Sequence, residues 1–231
     1  MPPIHEQTQA KPYESDADYI EALASAVHAR ARLIGARMKA RNDTDEDGVG
    51  LVVAADDESI PSDARAKVTR LVATEQRLWS EIDSRREATK AAGRVLGLDD
   101  ICDEYDLDDT ERLALVLTTL PAVGLEFAEV LGDVASFGFC VMSATVDMLG
   151  VMNSLDMAGR LRLREQFGPK GKLVVGGLIA VELAIGERVQ DFPTASLFIT
   201  QTAFDRIVGI GSGDDVESCP SCGQPMQPEE G

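Results

Sequence analysis

The sequence predicts a mainly α fold with a small β-hairpin. An N-terminal antiparallel helical pair comes first, and a compact domain of short helices closed by the hairpin follows. Three observations carry this reading. Residues 15–42 and 63–92 keep apolar side chains at three- and four-residue spacing, the pattern of one helix face. Residues 96–120, LGLDDICDEYDLDDTERLALVLTTL, hold two short amphipathic segments on either side of an acidic turn. After residue 170 the period changes, and runs rich in Val, Ile and Leu, bounded by Gly and Pro, read as strands.

Residues 1–14 are polar and Pro-rich and are predicted to be disordered. The first helix starts at Ser15 or Asp16 and lines up Tyr19, Ile20, Leu23, Val27, Leu33, Ile34 and Met38. An acidic stretch broken by Gly and Pro, 43–63, links it to the second helix, whose apolar side is Val68, Leu71, Val72, Leu78, Trp79 and Ile82. Two long helices joined by a polar loop favour an antiparallel pair, here 15–95.

The second unit, 96–210, opens with the segment pair at 96–120. Ile101, Cys102 and Tyr105 form one stripe, and Leu113, Val116, Leu117 and Leu120 form another. Asp108 followed three residues later by Glu111 fits a capping pair, and Pro121 is expected to end the helix. Helices are expected at Leu125–Leu131 and Val141–Leu149, then at 154–167, opened by Ser154. Leu173–Ala184 and Ser196–Thr200 read as the two strands, Ala203–Val208 as a last helix, and 211–231 as a flexible tail. Helices followed by a hairpin are the outline of a winged helix. A helix–turn–helix at 96–120 would place Asp108, Asp109 and Glu111 where base-reading side chains sit, and carboxylates there face phosphates.

Charge narrows the function. The 231 residues carry 40 acids against 22 bases, a net −18, so nucleic acid and anionic membranes are repelled at long range. The longest apolar run, Val134–Met152, has Asp147 near its centre, which argues against a bilayer span. Four cysteines, only two of them in a CxxC, are no secreted disulfide framework, and a cytoplasmic location is expected.

The string GRVLGLDDICDEYDLDDTERLALVLTTLPAVGLEF resembles the N-terminal winged-helix domain that precedes AAA+ ATPase modules in bacterial and archaeal proteins. The Glu111–Arg112 pair matches the start of that family's hydrophobic helix. FAEVLGDV with ATVDMLG resembles its next helical pair, RLRLREQFGPKGKLVVGGLIAVE its helix-to-strand segment, and SLFITQTAFDRIVG its closing strand and helix. The resemblance covers roughly residues 15–210 and implies a recruitment domain acting beside an ATPase. It carries over the fold and no ATPase residue, because Gly168 to Lys172 lacks the spacing and the Ser or Thr of a phosphate loop. The chain reads either as a stand-alone paralogue or as the front of a longer protein.

Two clusters remain as candidate sites. Arg160, Arg162, Arg164, Lys170 and Lys172 form a basic group suited to an acidic protein partner or to phosphate, or else a solvated helix face. Cys219-Pro-Ser-Cys222-Gly is half of a zinc ribbon; zinc needs four ligands, so a second copy of the tail or a further segment would have to complete it. A reducible dithiol in a flexible tail is the other reading. Cys102 and Cys140 lie in apolar stretches, as core cysteines do. With two isolated histidines and no catalytic motif, an enzyme is not expected. The expected function is a non-catalytic protein-interaction module, with homo-oligomerisation open. The alternative is a zinc-knuckle winged-helix regulator that binds DNA.

Overall fold

The computed structural model describes residues 10–42, 62–124, 143–182 and 189–210. The long helices are α1 (Asp16–Asn42) and α2 (Ser62–Ala91). They run antiparallel: Asp18 pairs with Arg85 at 2.7 Å, Arg30 pairs with Glu75 at 2.9 Å, and Leu33 and Ala40 cluster with Val68 towards the far end. Tyr19, Ile20, Leu23, Val27 and Ile82 are all buried, as their spacing predicts.

At Tyr13 the chain ahead of α1 departs from the disorder expected for residues 1–14, of which 1–9 lie outside the described residues. Tyr13 is buried, its N–H donates to Thr89 Oγ1 at 2.8 Å, and the Arg85 guanidinium lies 3.9 Å from its ring centroid. Burying one aromatic ring offsets the entropy of tethering a short lead-in.

Gly93, at φ +77, ends α2 in the left-handed turn that a residue with a Cβ enters reluctantly. Then come α3 (Gly97–Glu104) and α4 (Asp109–Val123). Asp108 Oδ1 accepts from the Thr110 and Glu111 N–H groups at 2.9 Å, and the Asp108 N–H donates to Glu111 Oε2 at 3.0 Å. The capping pair is therefore complete. Residues 113 to 120 are all buried, so α4 is the central core helix rather than a surface one. The Thr118 and Thr119 hydroxyls avoid being stranded there by donating to the Ala114 and Leu115 carbonyls, at 2.9 and 2.7 Å. Pro121 does not end α4. The ring removes one backbone donor in the last turn, and the helix continues to Val123.

The second half departs further from expectation. In place of a helix over Val141–Leu149, the strand β1 (Ala144–Thr145) leads into α5 (Val146–Met152). The Thr145 hydroxyl caps α5 by accepting from the Met148 N–H at 3.3 Å, which fixes the change of conformation at that residue. The next helix, α6 (Met157–Gln166), starts three residues later than expected because Asp156, not Ser154, caps it, accepting from the Gly159 N–H at 2.7 Å. Residues expected to begin a long strand form a single helical turn, α7 (Lys172–Val175). Gly176 and Gly177, the latter at φ +63, then turn the chain into the strand β2 (Ile179–Glu182). A 3-10 segment, Val189–Thr194, precedes the strand β3 (Ser196–Ile199), and α8 (Gln201–Val208) closes the described chain.

Among the described residues the sheet has three antiparallel strands in the order β1-β3-β2, one more than the predicted hairpin. Leu197 of β3 stands opposite both Ala144 and Val181. One hydrophobic core runs from Tyr19 and Leu23 through Leu115 and Leu117 to Leu149, Leu163 and Leu197, so α1 shares it with the strands. Residues 43–61 of the linker, the helix expected at Leu125–Leu131, the tail 211–231, and Cys140 lie outside the described residues. No described helix is long and apolar enough to cross a membrane.

Candidate functional site

A buried polar knot sets the frame. Asp99 of α3 accepts from Arg86 Nε of α2 at 2.9 Å and from an Arg112 amino group of α4 at 2.5 Å. The Tyr19 hydroxyl of α1 donates to the same carboxylate at 3.2 Å and itself accepts from Arg112. One carboxylate thus ties four helices. Burial pushes the Asp99 carboxyl up, but Arg112 and Arg86 more than reverse this and hold it below the usual carboxylate range. Arg112 is the second member of the Glu–Arg pair noted at the start of α4, and its role is this knot.

The close approach of α3 to α8 completes the frame. A Cβ on Gly97 would stand 1.9 Å from the Arg206 carbonyl oxygen. Arg206 also reaches back to Asp100 at 2.9 Å and Glu104 at 2.7 Å.

Against this frame α6 is held at both ends. Arg160 pairs with Asp147 of α5 at 2.6 Å, passing so close to Gly150 that a Cβ there would meet its guanidinium at 2.9 Å. At the other end Gln166 Nε2 donates to Asp108 Oδ2 at 2.5 Å. Leu163 and Phe167 fill the core beneath. The outer side is different: Met157 is 65% exposed and Leu161 58%, with exposed Arg162 and Glu165 beside them. Met157 and Leu161 are four residues apart and share one face.

The structure therefore divides the predicted basic cluster. Arg160 is engaged by Asp147. Lys172 pairs with Asp106 Oδ2 at 3.1 Å and also donates to its carbonyl. Arg164 lies over the Phe192 ring, 4.9 Å from its centroid. Arg162 and Lys170 are exposed and make no ion pair among the described residues. Cys219 and Cys222 lie outside the described residues. Cys102 is buried, as expected, and burial pushes its thiol up to about 11.

The residues missed in the sequence are Met157 and Leu161. A signal was present: Leu161 and Leu163 are two positions apart, about 200° around a helix, so they cannot both face the core. Asp99 left no such signal, because its partners lie on three other helices, 13 to 80 positions away.

The helix–turn–helix read at 96–120 consists of real helices, but burial of α4 removes it as a presenting surface. In the winged-helix order the corresponding helix pair is α5–α6, and of the two only α6 has an exposed outer face. Helix, strand, two helices and two paired strands in the order α4-β1-α5-α6-β2-β3 define the class: this is a winged helix. Over residues 1–216 the chain matches the family described as "Winged helix domain, variant", and it belongs to that family. No curated protein and no solved structure matches it significantly.

Proposed function

We propose that this protein is a non-catalytic protein-interaction module that receives its partner on the outward face of α6. The observation that carries the reading is the pair Met157 and Leu161, two large apolar side chains held in water at the centre of that face. A helix that reads nucleic acid presents several free cations. This one presents Arg162 beside Glu165, while Arg160 is occupied by Asp147. The net charge of −18 opposes a polyanion further. The likeness of residues 15–210 to the domain that precedes AAA+ modules supports a partner of that class, an ATPase or its substrate.

The second reading is a DNA-binding regulator, and one observation favours it: α6 holds the place of the second helix in a helix–turn–helix. In that reading Cys219 and Cys222 of two chains would share one zinc ion and join the copies.

Two measurements test the pair of readings. In a salt titration with a mixed-sequence DNA duplex, affinity stays weaker than micromolar even at low salt; tighter, salt-sensitive binding would transfer the assignment to the regulator. Partners recovered with the full chain and identified by mass spectrometry are lost from a Met157→Asp/Leu161→Asp variant and retained by Arg162→Gln. Retention by the double aspartate variant would remove α6 from the interface.

A further inference from the structure

Away from α6, a cavity of about 370 Å³ opens between the helical pair and the winged helix, within the size range of small-molecule sites. Leu23, Ile82, Leu113 and Val116 give it an apolar wall, and Arg30, Arg86 and Arg112 approach it from three different helices.

Its polar groups are unbalanced towards donors. Trp79 Nε1 and Asn153 Nδ2 both belong to residues lining this cavity. Both atoms are buried, and neither has a hydrogen-bond acceptor among the described residues. A buried N–H without an acceptor carries the full desolvation penalty of that group, and buried donors are nearly always satisfied. Two at one cavity mark a missing acceptor.

Charge points the same way. Arg86 and Arg112 converge on the single carboxylate of Asp99, and Arg30 uses Glu75. Arg86 and Arg112 therefore share one partly enclosed acid, Asp99, whose side chain is 21% exposed. Asp83 and Asp109 also line the cavity, but both are exposed, and Asp83 meets Arg86 only at 3.5 Å, so water screens them.

We infer that this cavity binds a small organic acid. Its carboxylate would accept from the Arg86 and Arg112 side and, once the Trp79 and Asn153 side chains turn towards it, from their two enclosed N–H groups, with its hydrocarbon part against Leu23, Ile82, Leu113 and Val116. The site is separate from the outward face of α6 and does not depend on it.

Trp79 is the only tryptophan in the chain, so its fluorescence reports directly on the cavity. The full chain is titrated with benzoate, benzamide and acetate at constant ionic strength. Benzoate produces a saturable change. Benzamide, the neutral shape match, and acetate, which lacks the apolar body, each bind at least about fivefold more weakly, as the loss of one charge-assisted bond or of the apolar contact implies. Asn153→Leu weakens benzoate by about fivefold. Trp79→Phe, read by calorimetry because the fluorophore is gone, does the same, and circular dichroism verifies that both variants are folded. No saturable response to benzoate overturns the site. So does benzamide equal to benzoate, or benzoate affinity unchanged in both variants.

Discussion

Arg112 of α4 and Asp99 of α3 meet at 2.5 Å across an acidic turn, and the same carboxylate holds Arg86 of α2. Replacing Asp99 with Ala leaves the largely enclosed Arg112 guanidinium without its acid and Arg86 with only the exposed Asp83 at 3.5 Å. Such a loss destabilises by about 3 kcal/mol. Urea unfolding of Asp99→Ala is expected to show a lower midpoint with an unchanged slope. A midpoint equal to the parent would mean that the knot is ornamental.

The same carboxylate sets an acid sensitivity. Its folded pKa is depressed, so its contribution is fully present above the unfolded value of about 4 and is lost as pH falls through the lower folded value. Thermal midpoints measured downward from pH 5 should fall more steeply in the parent than in Asp99→Asn. Parallel curves would assign the acid response to other carboxylates.

Gly97 makes a sharper steric test. The Ala Cβ would lie 1.9 Å from the Arg206 carbonyl oxygen, which is backbone and cannot swing aside. The Gly97 N–H also donates to Asp16 Oδ1 at 2.8 Å, so moving α3 away breaks a second tie. Gly97→Ala should destabilise by about 3 kcal/mol, the upper end of the usual cost of an overpacked contact. Gly93→Ala has open space around the new Cβ and only the positive φ against it, so its loss should be smaller, about 1 kcal/mol.

Cys102 should be chemically quiet. With its thiol buried and pushed up to about 11, almost no thiolate is present at neutral pH. Peptide mapping after brief iodoacetamide treatment should find Cys102 unlabelled in the native protein and labelled in urea. Labelling at the native stage would show that α3 opens.

What could be read from the chain was local. Asp108 and Glu111 are three residues apart, and the bonds between them need nothing beyond one helical turn. The long helices were equally clear, because a stripe such as Tyr19, Leu23 and Val27 repeats within the segment that forms it. The knot was hidden for the opposite reason. Tyr19 and Asp99 are 80 positions apart, and no pattern in either neighbourhood names the other.

The strand–helix boundary at Thr145 failed for a related reason. Ala144 is in a strand because Leu197 stands opposite, and a two-residue strand has no period of its own. Leu173–Val175 reads as the start of a strand because Leu, Val and Val are good strand formers. The turn at Gly176 and Gly177 lets those residues close a helical turn, with the Leu178 N–H returning to the Leu173 carbonyl at 2.9 Å. On α6 the signal is present in the sequence. The cation pattern points to Arg160 and Arg164, which the fold engages, rather than to Leu161, which it leaves in water.

The strand order also has a consequence in time. β3 lies between β1 and β2, yet it is the last of the three to be synthesised. The first two never pair with each other, so both carry open edges until residues 196–199 arrive. During synthesis the helices can gather early, while the sheet closes in one late step. A ribosome stalled before residue 196 would hold a chain with two strand edges and no strand to join them.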